Sequence, residues 1–560
     1  MTQSSCPRTP FFASLVTAAL IAGCGGGSGS ATASTPAPAP APAPAPDVTV
    51  TMTPAATRSI SPYIYGLNSL NSTADAPPLA TLDRTGGNRW TAYNWENNAS
   101  NAGSDYLYES DTYLSTSTTP AEAVRAIIAA DRTAGAASLV TLQMQGWVAA
   151  DTAGPVSTNN PPDTSRFKPV VFKKSTQSAS PFTISPITSD NAVYMDEFAW
   201  ALDQKFSGMD IFAAGTALPT FVQLDNEPEL WNSTHLEVQG RTAITSDAYI
   251  AKTVALSKAL KDLFPAMTIV GPAHYGFGGL YSWQGELSPT PTGANWFADK
   301  YLAAIKTASA SYGKPLVDVY DFHWYSEATD GSGARVTTLT GTTLTDAQVQ
   351  AVAQSPRSLW DGSYSETSWV SNTMGGPIAL LPRLQAKIAA SNPGMKLAVT
   401  EYNNGGCQHI AGTLAQADNL GIFGVQGVYA ATYWPLGSKE SYCLAGFRAF
   451  RGFDGANAVF GDISVQAVSS DIQSVAAYAS TDSTHAGRTV LVAINRSTTA
   501  KQTEFTGLAV SGTAHLYRMS ASSGTSQSPV APVAVGTQAT SGSSFSVSLP
   551  ALSVTTIDIY

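Results

Sequence analysis

Phe221-Val222-Gln223-Leu224-Asp225-Asn226-Glu227-Pro228 is a short apolar run that ends on a carboxylate and a proline. Its first half has the texture of a buried strand, and Pro228 closes it with a turn. Lys396-Leu397-Ala398-Val399-Thr400 runs in the same way into Glu401-Tyr402-Asn403. A strand that delivers an acid at its C-terminal end is the construction of a parallel barrel, whose functional groups collect on that face. Working outward, six further runs read as strands: Ile64–Asn68, Leu82–Gly86, Ser138–Met144, Met267–Gly271, Val317–Trp324 and Val428–Trp434.

Helical patterns lie between these runs. In Tyr249–Phe264, Tyr249, Thr253, Leu256, Leu260 and Leu263 recur at helical spacing behind Ser246-Asp247 as the cap. Ala121–Ala134, Tyr194–Phe206, Trp296–Ser311 and Ile378–Ser391 read similarly, while no helix is visible between the first two strands. Eight strands alternating with helices predict an α/β fold, a (β/α)8 TIM barrel over residues 63–454. A long Pro/Ser/Thr-rich insertion, 148–190, is expected to extend a substrate wall. Past Gly455 the helices stop. Thr489–Asn495, Ala514–Met519, Phe545–Leu549 and Val554–Ile559 read as strands between Gly/Ser-rich turns, which predicts an all-β sandwich over 455–560. Val48–Met52, within an N-terminal segment 48–62, has no barrel partner and is expected to join that sandwich.

Residues 1–24 read as an export signal. Arg8 supplies the positive end, Phe11–Ala22 is too short to span a bilayer comfortably, and Ile21-Ala22-Gly23-Cys24 resembles a bacterial lipobox with Cys24 as the lipidated residue. Ordinary secretion, with Cys24 incidental, is the alternative. Residues 25–47 form a linker in which Gly25–Ser28 is flexible and the Ala-Pro repeat to Pro46 is extended, at about 3 Å per residue. The chain is therefore expected to be secreted or held on the bacterial outer membrane or cell envelope, touching membrane only through that anchor. Export permits a disulfide between Cys407 and Cys443, which follow the seventh and eighth strands; two separate buried thiols are the other reading. With 560 residues, 12% charged and a net charge of −10, the chain is a poor partner for nucleic acid. It has no CxxC or HExxH metal spacing. A monomer is expected.

Glu227 follows the fourth strand and Glu401 the seventh, 174 residues apart in sequence, so only the fold can unite them. Two strand-end glutamates fit glycoside hydrolysis, which needs a protonated carboxyl at the leaving oxygen and an ionised one at the anomeric carbon. The charge of one raises the pKa of the other. Asn226 is placed to hydrogen-bond a sugar 2-OH; Glu229, two residues beyond Glu227, competes with it for the acid role.

The segments Asp225-Asn226-Glu227-Pro228-Glu229-Leu230-Trp231, Gly86-Gly87-Asn88-Arg89, Tyr93-Asn94-Trp95-Glu96-Asn97, Pro356-Arg357-Ser358-Leu359-Trp360-Asp361 and Thr400-Glu401-Tyr402-Asn403 resemble glycoside hydrolase family 44. The resemblance covers about residues 48–560. It implies a retaining endo-β-1,4-glucanase or xyloglucanase with Glu227 as acid/base and Glu401 as nucleophile. Asn403-Asn404-Gly405-Gly406-Cys407 departs from it, since the family often carries a bulkier residue at 404. Tyr325 is a candidate partner for the nucleophile, or a plain strand-end aromatic. Trp434, ending the eighth strand, is a candidate platform under the sugar. Trp95 and Trp360 are candidate outer platforms, Arg89 a candidate orienter of the carboxylates, and Gln145 and Glu96 candidate groove hydrogen-bonders. His235, His274 and His323 read better as structural. The chemistry requires no cofactor and no metal, although the acidic loop Asp105–Asp111 has ligands of the kind a structural calcium takes, ordinary solvation being the alternative. Rival readings are an endo-xylanase or mannanase on the same barrel, and a non-catalytic surface glycan-binding lipoprotein, which would not need both glutamates.

Overall fold

The computed structural model describes residues 45–560 except 74, 214, 510, 522–529 and 541. The expected signal, Cys24 and the linker up to residue 44 lie outside the described residues. Eight parallel strands close a barrel: β1 (Tyr63–Asn68), β2 (Leu82–Thr85), β3 (Ala137–Leu142), β4 (Thr220–Leu224), β5 (Ile269–Val270), β6 (Val319–Tyr325), β7 (Lys396–Asn403) and β8 (Ala430–Tyr433). Each pairs with its neighbour in chain order, and β8 returns to β1. All eight expected strands are therefore barrel strands. They are almost wholly buried because helices cover one face and the barrel interior fills the other.

The interior is layered. Leu82, Leu139, Phe221, Val270, Val319, Ala398 and Ala430 form an apolar plug with Ala137. Two residues further along the strands, the buried positions become polar: Arg84, Gln223, Asp321 and Thr400. The strand period thus carries a polar floor directly beneath the face where Glu227 and Glu401 emerge.

The long helix after β4 is Ser246–Leu263, and its cap is Thr245, whose hydroxyl accepts from Ala248 N, rather than Ser246-Asp247. Between β1 and β2 the described residues form a single 3-10 turn, Leu70–Ser72, which explains the missing helix signal. Phe167–Val171 in the long insertion pairs with Trp147–Ala149 and Val193–Tyr194 as a small added sheet.

The remaining chain builds one nine-stranded sheet that folds over a shared core including Val48, Val50, Leu491, Phe505, Phe545 and Ile557. Strands at Ile463–Ser469, Val475–Thr481, Lys501–Thr506 and Val533–Ala539 add to the four read from sequence. The first strand, Val48–Ser59, lies between Ile463–Ser469 and Lys501–Thr506. The helix Ile410–Gln426 packs between barrel and sheet. At its centre Gly421 lets Tyr478 approach; a Cβ there would sit 2.2 Å from the ring. Beside it the buried Asp418 accepts from Tyr478 OH (2.5 Å) and is ion-paired with the buried Arg496.

Candidate active site

The polar floor is a single hydrogen-bonded unit. Asp321 accepts from Ala273 N (2.8 Å), Gln223 Nε2 (2.5 Å) and the Thr400 hydroxyl (2.6 Å). That fixes the Gln223 amide with its oxygen upward, where it accepts from Arg84 Nε (2.5 Å). Arg84 then donates to Asn68 Oδ1 (2.9 Å), Asn226 Oδ1 (2.8 Å) and Glu401 Oε1 (2.6 Å). An asparagine in place of Asp321 would set its NH2 group against a donor whichever way it turned, the Gln223 amide and Thr400 hydroxyl on one side or the Ala273 N–H on the other. A buried group left unpaired costs roughly 1–3 kcal/mol. Asp321→Asn is expected to lower kcat about 10²-fold, the scale on which a catalytic group displaced by an ångström is felt. Adding Gln223→Glu restores acceptors on both sides and should recover most of the loss; thermal melts and kcat on the single and double variants check this.

Glu401 reaches this unit through an irregularity in β7. The register with β6 runs Phe322↔Val399 and then His323↔Glu401, so Thr400 is an extra residue. The bulge lets adjacent side chains both act at the barrel mouth, Thr400 on Asp321 and Glu401 on Arg84. The other Glu401 oxygen accepts from Tyr325 OH (2.6 Å). Burial, then the charge of Glu401, hold the Tyr325 phenol well above its usual pKa, so it stays a donor.

Glu227 is aimed by strain at a turn. Asp225 and Glu227 both have left-handed backbones (φ 65° and 41°), a conformation that costs a non-glycine residue of order 1 kcal/mol or more. The turn is held because the buried Asp225 accepts from Thr91 OH and from the backbone N–H groups of Met144, Gln145 and Asn226. Glu227 Oε1 lies 2.8 Å from His323 Nδ1, which is 3.4 Å from Glu401 Oε2. One oxygen of Glu227, one of Glu401 and a His323 nitrogen all fall within 4.8 Å of each other. Burial and the neighbouring charge of Glu229 push Glu227 up to about 8, against the pull of Arg84. Burial pushes His323 down to about 4, against the attraction of Glu401. At neutral pH the site therefore holds a protonated Glu227, a neutral imidazole and a Glu401 paired with a guanidinium. This trio is close enough to ligate a metal ion, yet Arg84 already supplies a fixed positive charge to Glu401. The arrangement can donate a proton on one side and attack on the other.

Trp434 is half-buried at the end of β8, facing Gly87, where a Cβ would sit 2.8 Å from its ring. Gly87 (φ 93°) thus clears the space the indole occupies. Asn226 is 2% exposed, and its oxygen accepts from Arg84 and from Gly87 N–H. Glu229 is removed from competition, since it is buried and bonded to His274.

Other expected contacts are corrected. Trp95 is fully buried, stacked on Phe198 with Nε1 donating to Tyr194 O, so it is core rather than a platform. Glu96 is 2% exposed and pairs with Lys168 at 2.8 Å; burial nevertheless lifts it to about 7. Gln145 turns inward, donating to Gln239 and accepting from Trp147 N. Trp360 lies with Tyr478 and Ile422 in a cavity between barrel and sheet, away from the carboxyls. Arg89 binds Asp111 (2.5 Å) and Ser100, and the carboxylate-orienting arginine is Arg84 instead. His323, read as structural, stands between the two carboxyls, whereas His235 is structural, bonded to Glu237 and Asn88 O. In the acidic loop, Asp105 accepts from Asn88 and Asp111 from Arg89. Cys407 and Cys443 are joined by a disulfide linking the loop after β7 to the helix Ser441–Arg448 beyond β8.

Residues 99–328 match the model of glycoside hydrolase family 44. The chain is 39% identical over 455 residues to endoglucanase A of Paenibacillus lautus, an alignment covering 79% of this chain and 63% of that protein. It superposes with a TM-score of 0.84 on the crystal structure of Cel44A, a family 44 endoglucanase from Clostridium thermocellum, at 36% identity, covering 92% of this chain and all of that one. A xyloglucanase of the same family from Paenibacillus polymyxa gives 0.84 at 34% identity, covering 92% and 99%. A barrel that gathers two carboxyls at the C-terminal ends of its strands is a frame on which glycoside hydrolysis is built. The chain belongs to glycoside hydrolase family 44.

Proposed function

We propose that this chain is a retaining endo-β-1,4-glucanase acting on cellulose-type or xyloglucan chains. The observation that carries the reading is the asymmetric carboxyl pair: Glu227 keeps its proton to about pH 8, while Glu401 faces Arg84 and Tyr325. Their facing oxygens lie within 4.8 Å of each other, short of the ~6.5–9.5 Å of inverting pairs and on the side of retaining ones. In this scheme Glu227 protonates the glycosidic oxygen as Glu401 attacks the anomeric carbon. Glu227 then takes a proton from water, which releases the sugar from Glu401. Asn226, whose oxygen is fixed by Arg84 and whose NH2 lies 3.4 Å from Asn88 Oδ1, is the candidate partner of the 2-OH, and Trp434 is the candidate platform under the sugar. Both reacting groups are protein carboxyls, so no metal or cofactor enters the chemistry.

The endoglucanase and xyloglucanase named among the relatives support the substrate class. A reducing-sugar assay on xyloglucan, carboxymethylcellulose, xylan and mannan tests it. Hydrolysis of the first two is expected; turnover confined to xylan or mannan would replace the reading, and no turnover on any would leave a glycan-binding role. The same proposal places the enzyme on the cell envelope through Cys24, supported by the Ala22-Gly23-Cys24 pattern and the linker behind it. Fatty-acid labelling that persists in Cys24→Ala would refute the anchor.

A further inference from the structure

A cleft of about 870 Å³ opens beside Trp434 and Arg84 and runs past Asn88 to Tyr106 and Tyr113. These tyrosines are 57% and 77% exposed. Tyr113 is nonetheless held in place. Its ring lies on the Arg89 guanidinium, 4.4 Å from ring centre to Cζ, and its N–H donates to Asp111 Oδ1 (2.9 Å). Asp111 in turn pins Arg89 at 2.5 Å, and Ser100 accepts a second bond from it. One face of the ring is therefore covered by a fixed cation, while most of the side chain stays in water. Fixing a large ring in solvent brings no burial in return unless something covers it. The cleft's continuity with Trp434 supplies the ligand: the chain that lies on Trp434 continues toward Tyr113. Its volume is at the upper end of the ~300–1,000 Å³ typical of ligand sites.

We propose that Tyr113, braced by Arg89, is the platform of a distal glucosyl subsite. This rests on the glucanase reading above. The subsite is assigned to the glycone side because the cleft, which neither carboxyl lines, is lined by Trp434 and by Arg84, and Arg84 is ion-paired with Glu401 rather than Glu227. Pyranose C–H faces stack on the free side of the ring, and Arg89 keeps that side turned outward.

The test is a ladder of reducing-end-labelled cello-oligosaccharides. Tyr113→Ala should lower kcat/KM roughly three- to tenfold on the longest oligosaccharide, the scale of one lost aromatic contact. The shortest cleaved oligosaccharide should be unchanged, and scission should move toward the non-reducing end. Tyr113→Trp should restore both. Equal loss on every length, or unchanged kinetics with an unchanged scission pattern, would overturn the subsite while wild-type turnover leaves the glucanase reading standing. A wild-type protein that cleaves no β-1,4-glucan would remove both.

Discussion

Glu401→Ala is expected to lower kcat on β-1,4-glucan by about 10⁴-fold or more, the scale on which removal of a covalent nucleophile is felt. The loss has two parts. The covalent route is gone, and Arg84 is left as a buried cation whose carboxylate partner at 2.6 Å has been removed. The variant should therefore melt lower as well as turn over slowly. Azide can enter the vacated space and attack from the same face as the lost carboxylate, so a partial recovery of turnover with an α-glycosyl azide as product is expected. Wild-type-like activity in Glu401→Ala, or a β-configured azide product, would transfer the nucleophile's role to another residue.

Glu227→Gln should cost about 10²–10⁴-fold in kcat/KM on the natural glycosidic bond, the usual worth of a positioned general acid. With an activated aryl leaving group, which departs without protonation, the first step should be far less affected. The pH dependence carries a sign that can be checked. Wild-type kcat/KM should fall above about pH 8 as the acid ionises, and Glu227→Gln should lack that limb. Stability moves the same way. An unfolded glutamate ionises near pH 4.3, whereas the folded one holds its proton to about 8. Between those values the native state binds the extra proton, so stability declines as pH rises. Wild-type Tm should thus drop more between pH 5 and pH 8 than that of Glu227→Gln; a parallel drop in both would remove burial of Glu227 as the cause.

The barrel was legible because each of its strands is a short run buried on both sides, and such runs are apolar whatever surrounds them. Glu227 and Glu401 were legible because a carboxylate at the end of such a run has few other uses. What failed was inference from sequence neighbours to exposure. Trp95 and Glu96 sit among asparagines, which suggested a wet groove. Two of those asparagines are themselves buried and spend their amides on backbone: Asn94 on Ala149 O, and Asn98 on the carbonyls of Ser117 and Thr119. Arg84 was passed over inside an ordinary-looking strand, Leu82-Asp83-Arg84-Thr85. Its signal was alternation: it shares a face with Leu82, so it must point into the barrel, where a guanidinium requires an acid. His323 follows the same rule, two residues beyond the inward Asp321.

The opening strand Val48–Ser59 sits between two strands from the far end of the chain, pairing with Ile463–Ser469 on one side and Lys501–Thr506 on the other. During synthesis this segment is made well before its partners, which follow only after some four hundred further residues. It must wait with its edges unpaired while the barrel assembles behind it, a state in which bare strand edges invite misassociation. Closure of the sheet joins the chain across a very long loop and is slow for that reason. Once made, it fastens both ends of the barrel to one sheet. Protease nicks or truncations near residue 50 would therefore be felt at the opposite end of the chain.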